Sequence, residues 1–109
     1  MNRDPRLPLT ETVFYVLLAL REPAHGYLIM TRVGELSGGQ VALAAGTLYG
    51  ALENLLKQGL IARLHSDDPR RKVYQINPLG LHVLDLDVQR MRHMVQAAES
   101  TLREGGSDA

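Results

Sequence analysis

The chain has 109 residues, 45% of them hydrophobic and 22% charged, the size and composition of one ordinary globular domain and not of a disordered or fibrous chain. Twelve Lys and Arg balance twelve Asp and Glu, which excludes a uniformly basic nucleic-acid coat but leaves room for a local basic patch. There is no Cys, so disulfide frameworks, thiolate metal sites and Cys nucleophiles are excluded together.

Residues 1–8 carry Pro5, Pro8 and mixed charges and read as a flexible N-terminal arm. They contain no apolar signal core, and no later apolar run reaches membrane length, so a cytoplasmic protein without membrane contact is expected. Thr10 is placed to cap a first helix running to Leu20, because its hydroxyl can accept from a free amide of the first turn. Leu9 and Phe14 stand where a hydrophobic staple would close that turn. The run from Val13 to Leu20 is apolar almost all round, which fits a buried helix, although its β-branched and aromatic residues also suit a strand. Arg21-Glu22-Pro23 ends it.

A second helix fits Gly26–Leu36, with Ile29, Val33 and Leu36 on one stripe and Ser37-Gly38-Gly39 as the stop. A third fits Ala45–Gln58. Leu48, Leu52, Leu55 and Leu56 share its inner face, and Thr47, Tyr49, Gly50, Glu53, Asn54 and Lys57 its outer face. Two short strands, Leu60–His65 and Lys72–Ile76, flank the turn-forming Ser66-Asp67-Asp68-Pro69-Arg70. Asn77-Pro78 opens a last helix. There Leu81, Leu84, Val88, Met91, Val95, Ala98 and Leu102 alternate at spacings of three and four, an a/d stripe made for lengthwise packing against another helix. Residues 105–109 read as a tail. The predicted fold is mainly α with a small β-hairpin: a winged helix-turn-helix over residues 9–77 and a C-terminal dimerisation helix over 78–104.

Nothing in this pattern carries catalysis. His25, His65, His82 and His93 form no metal-binding pair on one helix, and no nucleophile elbow or phosphate-cradling glycine loop occurs. An enzyme is not expected, nor is a cofactor or metal. DNA binding fits better. The third helix divides into an apolar inside and a hydrogen-bonding outside, as a helix lying in the major groove requires. Arg70-Arg71-Lys72 is the densest basic run and falls at the hairpin tip, suited to phosphate. Strand alternation would send at most two of the three to one side. Residues 1–76 hold nine Lys and Arg against seven Asp and Glu, and residues 77–109 three against five, so the positive excess lies on the hairpin side. The last helix outreaches so small a core and is expected to pair with a second copy. The competing reading is a winged-helix interaction adaptor whose heptad helix engages a different partner chain.

Several blocks resemble the PadR family of transcriptional regulators: Val16-Leu17-Leu18-Ala19-Leu20, Pro23-Ala24-His25-Gly26-Tyr27, Gly46-Thr47-Leu48-Tyr49, Leu55 to Ile61, and Arg70 to Gly80. The resemblance covers about residues 9–85, and the single C-terminal helix is similar to the family's small subgroup. It implies a homodimeric repressor of double-stranded DNA. Thr47 and Tyr49 would meet DNA at the start of the recognition helix, and His25 and Tyr27 would lie near the backbone. Arg70, Arg71 and Lys72 would be the wing, with Asn54 and Lys57 further along the exposed face. It also implies a small planar or phenolic effector near the dimer interface. The chain has no Trp, so Phe14, Tyr15, Met91 and Met94 are the residues available to line such a pocket. Ala44-Ala45 replaces the family's usual Ser-Pro, Gly50 its Pro, and Glu53 and Asn54 stand where basic residues are common.

Overall fold

The computed structural model describes residues 3–107, with side chains through Glu104; Met1, Asn2 and the last two tail residues lie outside the described residues. Its elements run α1 (Glu11–Ala19), β1 (Ala24–His25), α2 (Gly26–Leu36), α3 (Ala45–Lys57), β2 (Ile61–Leu64), β3 (Val73–Ile76) and α4 (Pro78–Ser107). This is a winged helix with an appended long helix. Among the described residues no helix is long and apolar enough to cross a membrane.

Local chemistry sets most boundaries. The Thr10 hydroxyl accepts from the Val13 amide at 3.1 Å and starts α1. At the end of α2, Gly38 and Gly39 take φ of 61° and 81°, a left-handed region that costs glycine little. There the Gly39 amide donates to Gly34 and the Gly38 amide to Glu35, which satisfies the last carbonyls of the helix. The same pair of bonds recurs after α3, from Leu60 to Leu55 and from Gly59 to Leu56. Asn77 opens α4 by accepting from the Gly80 amide at 2.9 Å.

Val16, Leu17 and Leu20 of α1, Ile29 and Val33 of α2, and Leu48, Leu52 and Leu55 of α3 form the centre of the core. Tyr74 and Ile76 of β3 and Val83 and Leu84 of α4 close it. Leu36, expected on the inner stripe of α2, is 47% exposed, because the helix runs past the edge of the core in its last turn.

Four features add to the expected elements or differ from them. The hairpin is a three-stranded antiparallel sheet in the order β1-β3-β2. Its extra strand, two residues long, pairs Ala24 with Tyr74 and His25 with Val73. Residues 3–8 do not hang free. Asp4 Oδ1 accepts from the Arg6 amide at 2.8 Å, and Leu7 packs on the core. The last helix continues to Ser107, into the stretch read as tail. Its stripe is also divided: Leu84 is buried in the chain's own core, as are Val83 and Asp87 beside it, whereas Val95 and Leu102 are exposed beyond the body of the domain.

Candidate nucleic-acid interface

β1 is the element that assembles the site. Its pairing puts His25 beside Val73, directly after Lys72 in the chain, so the start of α2 is held against the base of the wing. His25 also caps α2, accepting from the Leu28 amide through Nδ1 at 3.5 Å. Gly26 follows and leaves a gap. A Cβ there would stand 2.8 Å from the Tyr49 hydroxyl, so the bare glycine makes room for the phenol of α3 to lean across. Tyr49 remains half-exposed, and Tyr27 is 75% exposed.

The outcome is one open hollow of about 320 Å³ lined by His25, Gly26, Tyr27, Tyr49, Arg70, Arg71 and Lys72. All three basic residues face it. The alternation expected to separate them fails because β3 begins only at Val73, and Arg70 and Arg71 lie in a turn closed by the Arg71 amide donating to the Asp68 carbonyl. Arg70 pairs with Asp68 at 3.3 Å on a mostly exposed side chain. Arg71 and Lys72 have no ion-pair partner among the described residues. Among the described residues no carboxylate lines the hollow. Cations, phenols and an imidazole, with Asp68 paired to Arg70 at the rim and Arg71 and Lys72 left unmatched among the described residues, make a surface suited to a phosphate backbone.

Behind this surface, burial pushes the Tyr74 hydroxyl up from its ordinary pKa, Arg63 pulls it back and Tyr49 adds to the rise. Arg63 stands opposite Tyr74 in the β2–β3 register and is exposed, a basic residue beside the hollow that sequence reasoning passed over. The available signal was its place in an antiparallel pair with the one buried Tyr of the wing.

The family model of the transcriptional regulator PadR-like family matches residues 15–86, most of the chain and every residue that lines this hollow; the N-terminal segment, the start of α1 and α4 beyond Leu86 lie outside the match. The chain belongs to the PadR-like family of transcriptional regulators. A PadR family regulator from Eggerthella lenta DSM 2243 is 33% identical and superposes with a TM-score of 0.65 over 85% of this chain and 81% of its own. One from Clostridium difficile R20291 is 24% identical, with a TM-score of 0.67 over 83% of this chain and 97% of its own. Bordetella bronchiseptica BpsR shares the fold at 23% identity, with a TM-score of 0.66 over 86% of this chain and 67% of its own. No curated protein matches the chain.

Not every residue expected at the PadR DNA face lines the hollow. Thr47 is exposed on the same helix but does not line it, and Lys57 sits nearly three turns further on. Asn54 turns to another side, in a hollow of about 200 Å³ with Arg6, Pro8 and Leu9 of the arm. At about 100° per residue, Tyr49 and Asn54 stand at opposite edges of the outer face of α3. Glu53, one turn beyond Tyr49, is exposed on the Tyr49 side. Ala44 supplies no side-chain bond to the start of α3, so the amides of the first turn lack a side-chain cap. Of the residues proposed for an effector, Phe14, Tyr15 and Met91 share a hollow of about 440 Å³ with Leu9, Glu11 and Asp87, and the two rings meet edge to face at 5.6 Å. Met94 lines a different hollow. No group of three or more metal-binding side chains occurs among the described residues.

The half-exposed phenol sets a first expectation. Tyr49→Ala should change folding stability by no more than about 1 kcal/mol, as for a surface residue. Thermal unfolding of the variant measures this, and a much larger fall would make the Tyr49 ring part of the core.

Proposed function

We propose that this PadR-like regulator is a homodimeric repressor that binds an inverted-repeat operator in double-stranded DNA and responds to a small phenolic or planar effector. The observation that carries the DNA reading is the gathering of His25, Tyr27 and Tyr49 with the basic run at 70–72 around one hollow that no carboxylate of the described residues lines. The start of α3 enters the major groove, and the wing holds phosphate. Titration of random genomic fragments and of the protein's own upstream region, followed by gel shift at low salt, tests it. Failure to bind either refutes the reading.

Phosphate contacts release counterions without reading bases. Arg71→Ala therefore removes two contacts from a symmetric dimer and flattens the log–log salt slope by about 1.8, at about 0.9 per contact. Specific and random DNA weaken by similar factors. A loss confined to the specific site, with the slope unchanged, would assign Arg71 to base reading.

The dimer reading rests on the part of α4 that leaves the domain. Val95 is 53% and Leu102 74% exposed, and with Leu81, Val88, Met91 and Ala98 they continue one stripe. A two-fold pair along it would set two recognition helices about 34–36 Å apart, one turn of duplex. Val95→Asp with Leu102→Asp places carboxylates where a partner would bury them, at a cost of several kcal/mol, while leaving the single chain's core untouched. Sedimentation at micromolar concentration should show a helical monomer; a persistent dimer places the interface elsewhere. A monomeric wild type that captures another chain through this stripe would favour the interaction-adaptor reading.

The effector reading is supported by the Phe14, Tyr15 and Met91 hollow between α1 and the middle of α4. BpsR, which shares the fold, has its DNA binding regulated by 6-hydroxynicotinic acid, a small planar molecule.

A further inference from the structure

The segment from Arg3 to Thr10 touches two separate parts of the molecule. Through Arg3, Asp4 and Leu7 it lines a hollow of about 510 Å³ against α4, with Leu86, Arg90, His93 and Met94. Through Arg6, Pro8 and Leu9 it lines a second hollow on α3, with Ala51, Asn54 and Leu55. The two sets of contacts alternate along one tight turn: the Leu7 amide donates to the Asp4 carbonyl at 3.0 Å, and Arg6 Nη1 pairs with the Asp4 carboxylate at 3.0 Å.

The charges of the α4 hollow are unequally matched. Asp4, the one carboxylate among the described lining residues, is neutralised by Arg6, and Arg90 by the buried Asp87 at 2.6 Å. Arg3 has no ion-pair partner among the described residues. It lines the hollow together with the His93 imidazole and the apolar side chains of Leu7, Leu86 and Met94. One unmatched cation over apolar side chains is the complement of a small organic anion with an apolar body. At about 100° per residue, Leu86, Arg90 and His93 stand on the side of α4 turned away from Val88 and Val95. A ligand there leaves the exposed stripe free. The hollow is also distinct from the one lined by Phe14, Tyr15 and Met91.

We infer that the hollow between the N-terminal segment and α4 is a binding site for a small organic anion, and that the segment acts as a strap relaying its occupancy to α3. A ligand seated against Arg3 and Leu7 must lift or tighten the strap. Arg6, Pro8 and Leu9 of the same strap bear on the middle of α3, so the pose or mobility of that helix changes with it. That α3 reads DNA is the reading given above. The site and the relay are tested without DNA, so the two can fail separately.

The probe is 8-anilinonaphthalene-1-sulfonate, read by fluorescence on the full chain, beside N-phenyl-1-naphthylamine, which has the same rings and no charge. The sulfonate should bind one per chain. Arg3→Gln should weaken it roughly fivefold, the worth of a partly solvated charge contact, and Arg3→Lys should restore most of that. The uncharged amine should be indifferent to both changes. Arg3 is exposed, so neither variant endangers the fold. Dye bound to the exposed stripe of α4 would ignore Arg3, and a sulfonate titration unmoved by Arg3→Gln overturns the site. Hydrogen exchange then tests the relay: saturating sulfonate should alter exchange in peptides covering residues 3–10 and 51–58. An effect that stops at residue 10, with 51–58 unchanged, overturns the strap.

Discussion

Gly80→Ala is expected to cost about 3 kcal/mol of stability, the upper end of what inserting a methyl into a packed interior does. For a domain of this size the unfolding midpoint should fall by about 12–24 °C. Elsewhere in a helix the same change would gain about 1 kcal/mol, since Ala is the better helix former, so even the sign is informative. A Cβ on Gly80 would be driven into the Leu60 carbonyl oxygen and would stand 2.7 Å from Ile76 Cγ1. The Leu60 backbone cannot step aside. Its carbonyl accepts from the Asn77 amide at 3.1 Å, its amide donates to Leu55 at 3.0 Å, and Asn77 Nδ2 holds the neighbouring Gly59 carbonyl at 2.6 Å. Calorimetry decides the matter: an unchanged or raised midpoint would mean that this junction of α3, β3 and α4 yields easily.

The second large effect concerns the ion pair within α4. Asp87 is 1% exposed, and Arg90 Nε donates to its Oδ1 at 2.6 Å, while Arg90 Nη1 reaches Met94 Sδ at 3.4 Å. Arg90→Met leaves the carboxylate buried without its partner and should cost about 3–5 kcal/mol. Asp87→Leu combined with Arg90→Met removes both charges and should return to within about 1 kcal/mol of the wild type, because an apolar pair of similar volume avoids the desolvation cost. Denaturant unfolding of both variants measures the difference. If the double variant is as unstable as the single one, the site depends on the shape of Arg90 and not on its charge.

Asp87 also marks where the sequence was opaque. A carboxylate on a long polar helix reads as solvated, and only the tertiary position of α4 shows that its 83, 84 and 87 face is the one that meets the core. The heptad spacing concealed this, because Leu84 satisfies the a/d pattern and the chain's own core at once. By contrast, α1 to α3 were legible nearly to the residue. Thr10, the glycines at 38 and 39, and Gly59 are each local devices whose effect does not depend on distant packing. β1 left no such trace, since two residues carry no alternation and its partner lies far along the chain. The basic turn and Tyr49 were visible as chemistry. What the sequence could not show is that they would converge with His25 and Tyr27, because β1 is what brings them together. Nor could it show that Asn54 would turn toward the N-terminal segment.

β1 has a consequence for how the chain is made. Ala24 and His25 have their strand partners at Tyr74 and Val73, the Ile76 amide donates to the Leu20 carbonyl at 2.9 Å, and Gln75 Nε2 reaches the Arg21 carbonyl at 3.3 Å, across 54 positions. Closing so long a loop must precede any return from those bonds, which slows folding relative to a bundle of local helix contacts. A nascent chain halted before residue 73 can form its three early helices but has nothing to lay against Ala24 and His25. Synthesis proceeds at about 5–20 residues per second, so that segment waits unpaired for seconds.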